Sequence, residues 1–140
     1  MSEIIEIQNN SNSDDWNPFV GEETLGLLRG NSKLIDNGNL NDAGDRVLNE
    51  TLSIMQACGN PRATSNNETG IIIGYVQSGK TLSFTTLTAL ARDNNYRIVI
   101  ILGGTSKILL QQSTLRLRRD LRIDSRYGFE QKWTQLTNPE

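Results

Sequence analysis

One stretch of eight residues concentrates the chemistry available to this 140-residue chain. Gly74-Tyr75-Val76-Gln77-Ser78-Gly79-Lys80-Thr81 fits the spacing G-x-x-x-x-G-K-[ST] in full. Phosphate oxygens can be held by successive backbone N–H groups, and only a glycine-permitted turn aims those groups inward at the positive end of a following helix. Gly74 and Gly79 supply that backbone freedom. Lys80 then reaches the β and γ phosphates and the Thr81 hydroxyl ligates Mg²⁺, so the expected cofactors are ATP and Mg²⁺. A match of this quality arises by chance in roughly 0.5% of chains this long, which makes the competing account, a glycine-rich turn with an incidental Lys-Thr pair, the weaker one.

Much other chemistry is excluded. With no His and a single Cys58, the chain cannot build a His/Cys zinc site, a Cys-His nucleophile, a Ser-His-Asp triad or an internal disulfide. Cys58 itself reads as a small apolar residue near a helix end. No catalytic residue can be assigned. Asp93 falls at the far end of the helix after the loop, on the order of 18 Å from Thr81 at 1.5 Å per residue, too far to support Mg²⁺ there. Asp120, Asp124 and Glu130 follow no buried strand and read as surface residues. With no acid to support Mg²⁺, the chain is expected to bind nucleotide without appreciable turnover.

The elements that must position the loop are legible on either side of it. Ile71, Ile72 and Ile73 form a β-branched run suited to a strand buried on both faces. Residues 81–92 predict a helix with Phe84, Leu87 and Ala91 on one side, and residues 97–102 (Arg-Ile-Val-Ile-Ile-Leu) a second buried strand. Residues 106–123 predict a long helix carrying Ile108, Leu109, Leu115 and Leu117. Strand, helix, strand, helix at these lengths is the pattern of a βαβ crossover. The expected fold is therefore α/β, an incomplete P-loop NTPase (RecA-like) parallel sheet with an N-terminal helical extension. Residues 1–20 read as a mobile tail, 21–69 as a helical region and 70–140 as the start of the NTPase domain. Within the helical region, Asp42 or Asp45 could cap a helix over residues 41–58 with Val47, Leu48, Thr51, Leu52 and Met55 on one face. Trp16 and Trp133 read as packing residues.

Around this loop the chain resembles a family. Gly70-Ile-Ile-Ile-Gly-Tyr-Val-Gln-Ser-Gly-Lys-Thr81 is similar to the start of the Z-one domain, an endonuclease and ATPase family related to superfamily-two helicases. Residues 97–106 and 110–119 resemble that family's second strand and following helix, and residues 132–137 a further Trp and Leu-Thr segment. The resemblance covers about residues 70–137 and implies an ATP-driven enzyme acting on DNA. No acidic Walker B motif, arginine finger or nuclease constellation is found, so the chain reads as an N-terminal fragment whose partners include the remainder of the domain or a self-associating copy.

Charge distribution bears on the DNA expectation. Residues 1–70 hold 11 acids and 4 bases and residues 71–140 hold 5 acids and 10 bases, so only the second half is suited to nucleic acid. On a continuous helix Arg119, Arg122 and Arg126 share one face that could track a phosphate backbone. A solvated face partly balanced by Asp120 and Asp124 is the simpler account. Two other readings remain open: a P-loop kinase or GTPase, although no Asn-Lys-x-Asp guanine signature occurs, and a non-catalytic fragment acting as an interaction piece. The longest aliphatic run, residues 98–102, is far short of the roughly 20 apolar residues of a membrane span. The N-terminus lacks a signal-peptide pattern, which predicts a cytoplasmic protein.

Overall fold

A computed structural model of the protein describes residues 16–63, 69, 80–102, 106–123 and 133–136. The chain divides into two units, Met1–Val99 and Ile100–Glu140. The first contains helix α1 (Glu22–Arg29), a 3₁₀ turn (Ser32–Leu34), strands β1 (Ile35–Asp36) and β2 (Asn39–Leu40), helix α2 (Asp42–Ala57) and helix α3 (Lys80–Asp93). The second contains helix α4 (Lys107–Asp120).

Helix α2 starts where its cap allows. The Asn41 side-chain oxygen accepts from the N–H groups of Ala43 and Gly44, satisfying two donors that the helix itself leaves open. Asn41, rather than Asp42 or Asp45, is thus the capping residue, and the two aspartates lie in the first turn where the helix dipole favours them. Immediately before it, Asn37 and Gly38 both adopt positive φ, 49° and 82°, as a two-residue hairpin turn of the primed kind requires. That turn pairs Ile35 with Leu40 and Asp36 with Asn39 in an antiparallel register.

The hairpin lies close on α2, and Gly44 makes this possible. A Cβ there would stand 2.6 Å from the Leu34 carbonyl oxygen and 3.0 Å from Leu40 Cδ2. On an open helix surface Gly→Ala stabilises by about 1 kcal/mol. Here Gly44→Ala should instead destabilise by about 1–2 kcal/mol, since a backbone oxygen cannot step aside and overpacking costs about 1–3 kcal/mol. Urea unfolding checks the sign, and a more stable variant would refute the close approach.

Helix α3 packs against both α2 and α1. Met55, Leu90 and Ala91 form the centre of the core, with Trp16, Val20, Leu52, Leu87 and Tyr96 packed around it. Trp16 is therefore a packing residue, as its sequence suggests, and its indole N–H also donates to the Met55 carbonyl at 3.4 Å. Residues 16–20, included in the tail on sequence grounds, are fastened to this core, while residues 1–15 lie outside the described part. The deepest positions of α3 are Thr85, Thr86, Ala89 and Leu90, whereas Phe84 and Leu87, expected on the buried side, are only partly buried.

The expected parallel sheet is not present among the described residues, whose only sheet is the two-stranded antiparallel hairpin. Residues 97–102 form no strand, and Ile98, Ile100 and Leu102 are 77%, 80% and 91% exposed. A β-branched run is compatible with a buried strand, but the strand exists only where a neighbour supplies hydrogen bonds and helices cover both faces. Here α3 buries its inner face against α1 and α2 instead. The fold is helical, and the RecA-like α/β assignment does not hold; Ile71, Ile72 and Ile73 lie outside the described residues. No described helix is long and apolar enough to cross a membrane.

Candidate functional site

The two residues expected to contact phosphate and metal open helix α3. Lys80 is its first residue and Thr81, partly buried, its second. Gly74, Tyr75, Val76, Gln77, Ser78 and Gly79 lie outside the described residues. Lys80 and Thr81 are both helical.

Within α3, three threonines are buried and each donates its hydroxyl to the carbonyl four residues earlier: Thr85 to Thr81 at 2.6 Å, Thr86 to Leu82 at 2.8 Å and Thr88 to Phe84 at 2.8 Å. At its end the chain closes in a Schellman turn, with Asn95 at φ 67°, the Asn95 N–H donating to Arg92 and the Tyr96 N–H to Ala91. Asn tolerates this left-handed position better than most residues.

Asp93 and Asn94 then reach the beginning of α1. Gly21 stands at the N-cap of α1 with no side chain to offer, and the Asp93 carboxylate accepts from the N–H groups of Gly21, Glu23 and Thr24 at 3.0, 3.2 and 3.0 Å. Asn94 brackets Phe19, accepting from its N–H at 2.7 Å and donating to its carbonyl at 2.8 Å. Asp93 is thus a structural cap at the opposite end of α3 from Thr81. No group of three or more His, Cys, Asp or Glu able to hold a metal occurs among the described residues.

The arginine stripe does not form as expected. Helix α4 stops at Asp120, short of residue 123, because Leu121, Arg122 and Ile123 close it with a second Schellman turn: the Arg122 N–H donates to Arg119, the Ile123 N–H to Arg118, and Arg122 takes φ 52°. Arg119 is on the helix, where its Nε lies 2.8 Å from the Asp120 carboxylate. Arg122 is off it, and Arg126 lies outside the described residues. The shared face needed a helical rise that the chain abandons between Arg119 and Arg122. Cys58 caps the end of α2 and is exposed as a residue, and partial burial of its thiol pushes the pKa up. Tyr96, whose hydroxyl donates to the Gly59 carbonyl at 2.8 Å, is also pushed up, by burial first and by Cys58 second.

Sequence reasoning missed the part played by Asp93, Asn94 and Thr85. Asp93 and Asn94 act across about 70 residues of chain, so no local spacing announces them. For Thr85 the signal exists, since threonines at 85, 86 and 88 inside a helix invite back-bonding. No protein-family model matches the chain, and neither a curated protein nor a solved structure matches it.

Proposed function

We propose that residues 74–81 bind the phosphates of ATP together with Mg²⁺, and that this is the protein's primary biochemical activity. The observation that carries the reading is the complete G-x-x-x-x-G-K-T spacing, whose Lys80 and Thr81 lie in helix α3. Either alone is weak: glycine-rich turns are common, and so are helices. A phosphate loop of this spacing would bring a cation, a hydroxyl and open N–H groups to one point, which is the donor set a triphosphate and its metal require. The resemblance to the Z-one family supports the larger proposal that this ATP binding serves an enzyme working on DNA.

Thr81 supplies the test. Thr81→Ala should reduce ATP affinity about tenfold in Mg²⁺ and leave it unchanged when the metal is chelated, because only the metal-bridged part of the contact depends on the hydroxyl. Titration of a fluorescent ATP analogue in both conditions reads the difference. Equal losses with and without metal would remove Thr81 from the metal site. Competition by unlabelled ATP over GTP separates an adenine-nucleotide site from a GTPase-like one.

A further inference from the structure

The tip of the β1–β2 hairpin brings together the two partners of one spontaneous reaction. Asn37 is followed by Gly38, the sole Asn-Gly pair in the sequence. Both residues are exposed, and a Cβ at Gly38 would meet nothing within 4 Å. The Gly38 N–H donates to no group among the described residues. A bond from that nitrogen to Asn37 Cγ closes a small ring, and glycine, lacking a Cβ, leaves the nitrogen unscreened. Closure requires the peptide between them to rotate out of the turn, and this opening breaks a ladder of only two residue pairs, Ile35 with Leu40 and Asp36 with Asn39. The other described asparagines are each held back. Asn17 and Asn60 precede prolines, which have no N–H, and Asn39 precedes the bulkier Leu40. The side-chain oxygens of Asn31 and Asn41 are engaged by backbone N–H groups, and Asn49 lies within helix α2. After Asn94 and Asn95 the next N–H is already bonded, that of Asn95 to Arg92 and that of Tyr96 to Ala91.

We propose that Asn37 is a site of spontaneous deamidation, and that its isoaspartyl product loosens the hairpin that precedes helix α2. The site is independent of the ATP-binding reading. The Gly38 nitrogen gives up its proton to solvent base and attacks Asn37 Cγ; the new C–N bond forms as the bond to Nδ2 breaks, and ammonia leaves with a proton taken back from solvent. Water then opens the resulting succinimide. Attack at the side-chain carbonyl restores the original main chain with Asp at 37, and attack at the main-chain carbonyl leaves Gly38 attached through the former side chain as isoaspartate. The two products differ in consequence. Aspartate suits the turn, since Asp-Gly favours the same left-handed positions as Asn-Gly. Isoaspartate adds one methylene to the main chain of a two-residue loop, and such a loop sets strand register only at its proper length and geometry. Strand β2 leads directly into the cap of α2, where the Asn41 N–H donates to the Leu34 carbonyl at 2.9 Å and its side chain to the Lys33 carbonyl at 3.0 Å. A slipped register therefore reaches the start of α2.

The experiment incubates the full chain in water enriched in heavy oxygen, at mildly alkaline and mildly acidic pH, and locates the incorporated label by peptide mass spectrometry. Label at residue 37 should accumulate at least about tenfold faster than at Asn31, whose following residue is a serine. It should accumulate faster at the alkaline pH, because the attacking nitrogen must lose its proton. Gly38→Ala should slow labelling at 37 at least about tenfold, since the added methyl screens the nitrogen. The ranking of asparagines in the parent protein needs no variant and stays decisive if alanine is not tolerated at φ 82°. The isoaspartyl fraction is then separated by charge-based chromatography and compared with Asn37→Asp by hydrogen exchange. Exchange at the Asn41 amide should quicken at least about tenfold in the isoaspartyl fraction and stay within about twofold of the parent in Asn37→Asp. Label appearing first at another described asparagine, or at an unchanged rate in Gly38→Ala, overturns the assignment of the site. Parent-like exchange at Asn41 in the isoaspartyl fraction overturns the loosening of the hairpin.

Discussion

Lys80→Ala is expected to lower Mg-ATP affinity by at least about 100-fold while the helical circular dichroism of the protein stays unchanged. Lysine is the only full charge among residues 74–81, so its loss leaves the β and γ phosphates with backbone donors and the metal alone. Truncating one partner of a desolvated charge pair typically costs about 2–5 kcal/mol, and about 2.7 kcal/mol already corresponds to 100-fold. The fold is expected to be insensitive to the change, because position 80 lies in helix α3 and alanine is the best helix former. Lys80→Arg should recover little, since a planar fork cannot replace a compact ammonium at a point contact. Calorimetric titration decides it: equal affinity in the variant and the parent rules out the phosphate loop.

How much of this could be read from the sequence differs by element, and the reasons are physical. Helix α2 was legible because the spacing of Thr51, Leu52 and Met55 is local information, and its boundaries follow from Asn41 at one end and Gly59 at the other. The cap was assigned to the wrong neighbour, since Asn41, Asp42 and Asp45 are all competent and only the backbone angles choose among them. The hairpin was announced by Asn37-Gly38 but overlooked, because strands of two residues leave no alternation to notice. Helix α3 was placed to within a residue or two, yet its deepest face was misread: Thr85 and Thr86 bury their methyl groups and satisfy their hydroxyls internally, so residues counted as polar behave as small apolar ones.

The larger error, a parallel sheet, came from treating residues 97–102 as buried on composition. Burial is a property of the partners a segment finds, and Ile98, Ile100 and Leu102 find none that cover them among the described residues. The arginine stripe failed for a similar reason. A helical face over Arg119, Arg122 and Arg126 presumes that the helix continues, and no glycine or proline warns that it stops at Asp120. Of the candidate site, the helix that carries Lys80 and Thr81 was nearly legible, while residues 74–79 lie outside the described part. The contacts that hold that helix at its far end were not legible, because Asp93 and Asn94 meet residues some 70 positions away.

Those contacts carry the second large effect. Asp93→Ala should destabilise the protein by about 2–4 kcal/mol, mostly by releasing the start of α1. Three N–H groups lose their acceptor at once, and Gly21 offers no side chain to replace it. Removing a local N-cap costs about 1 kcal/mol, and hydrogen bonds to a charged group contribute about 1.5–3 kcal/mol, so the combined loss exceeds that of an ordinary cap. Asp93→Asn keeps an oxygen but not the charge and should fall between the variant and the parent. Gly21 is coupled to this carboxylate by space, since a Cβ there would lie 2.5 Å from Asp93 Oδ1 and 2.7 Å from Asp93 Cγ. Gly21→Ala should therefore be costly in the parent and much less so once Asp93 is alanine, a non-additivity of the kind neighbours in contact show. Urea unfolding of the two single variants and the double variant measures the coupling, and hydrogen exchange at Glu23 and Thr24 locates it. An Asp93→Ala protein within about 0.5 kcal/mol of the parent, the range of ordinary surface substitutions, would mean that solvent caps α1 as well as the carboxylate does.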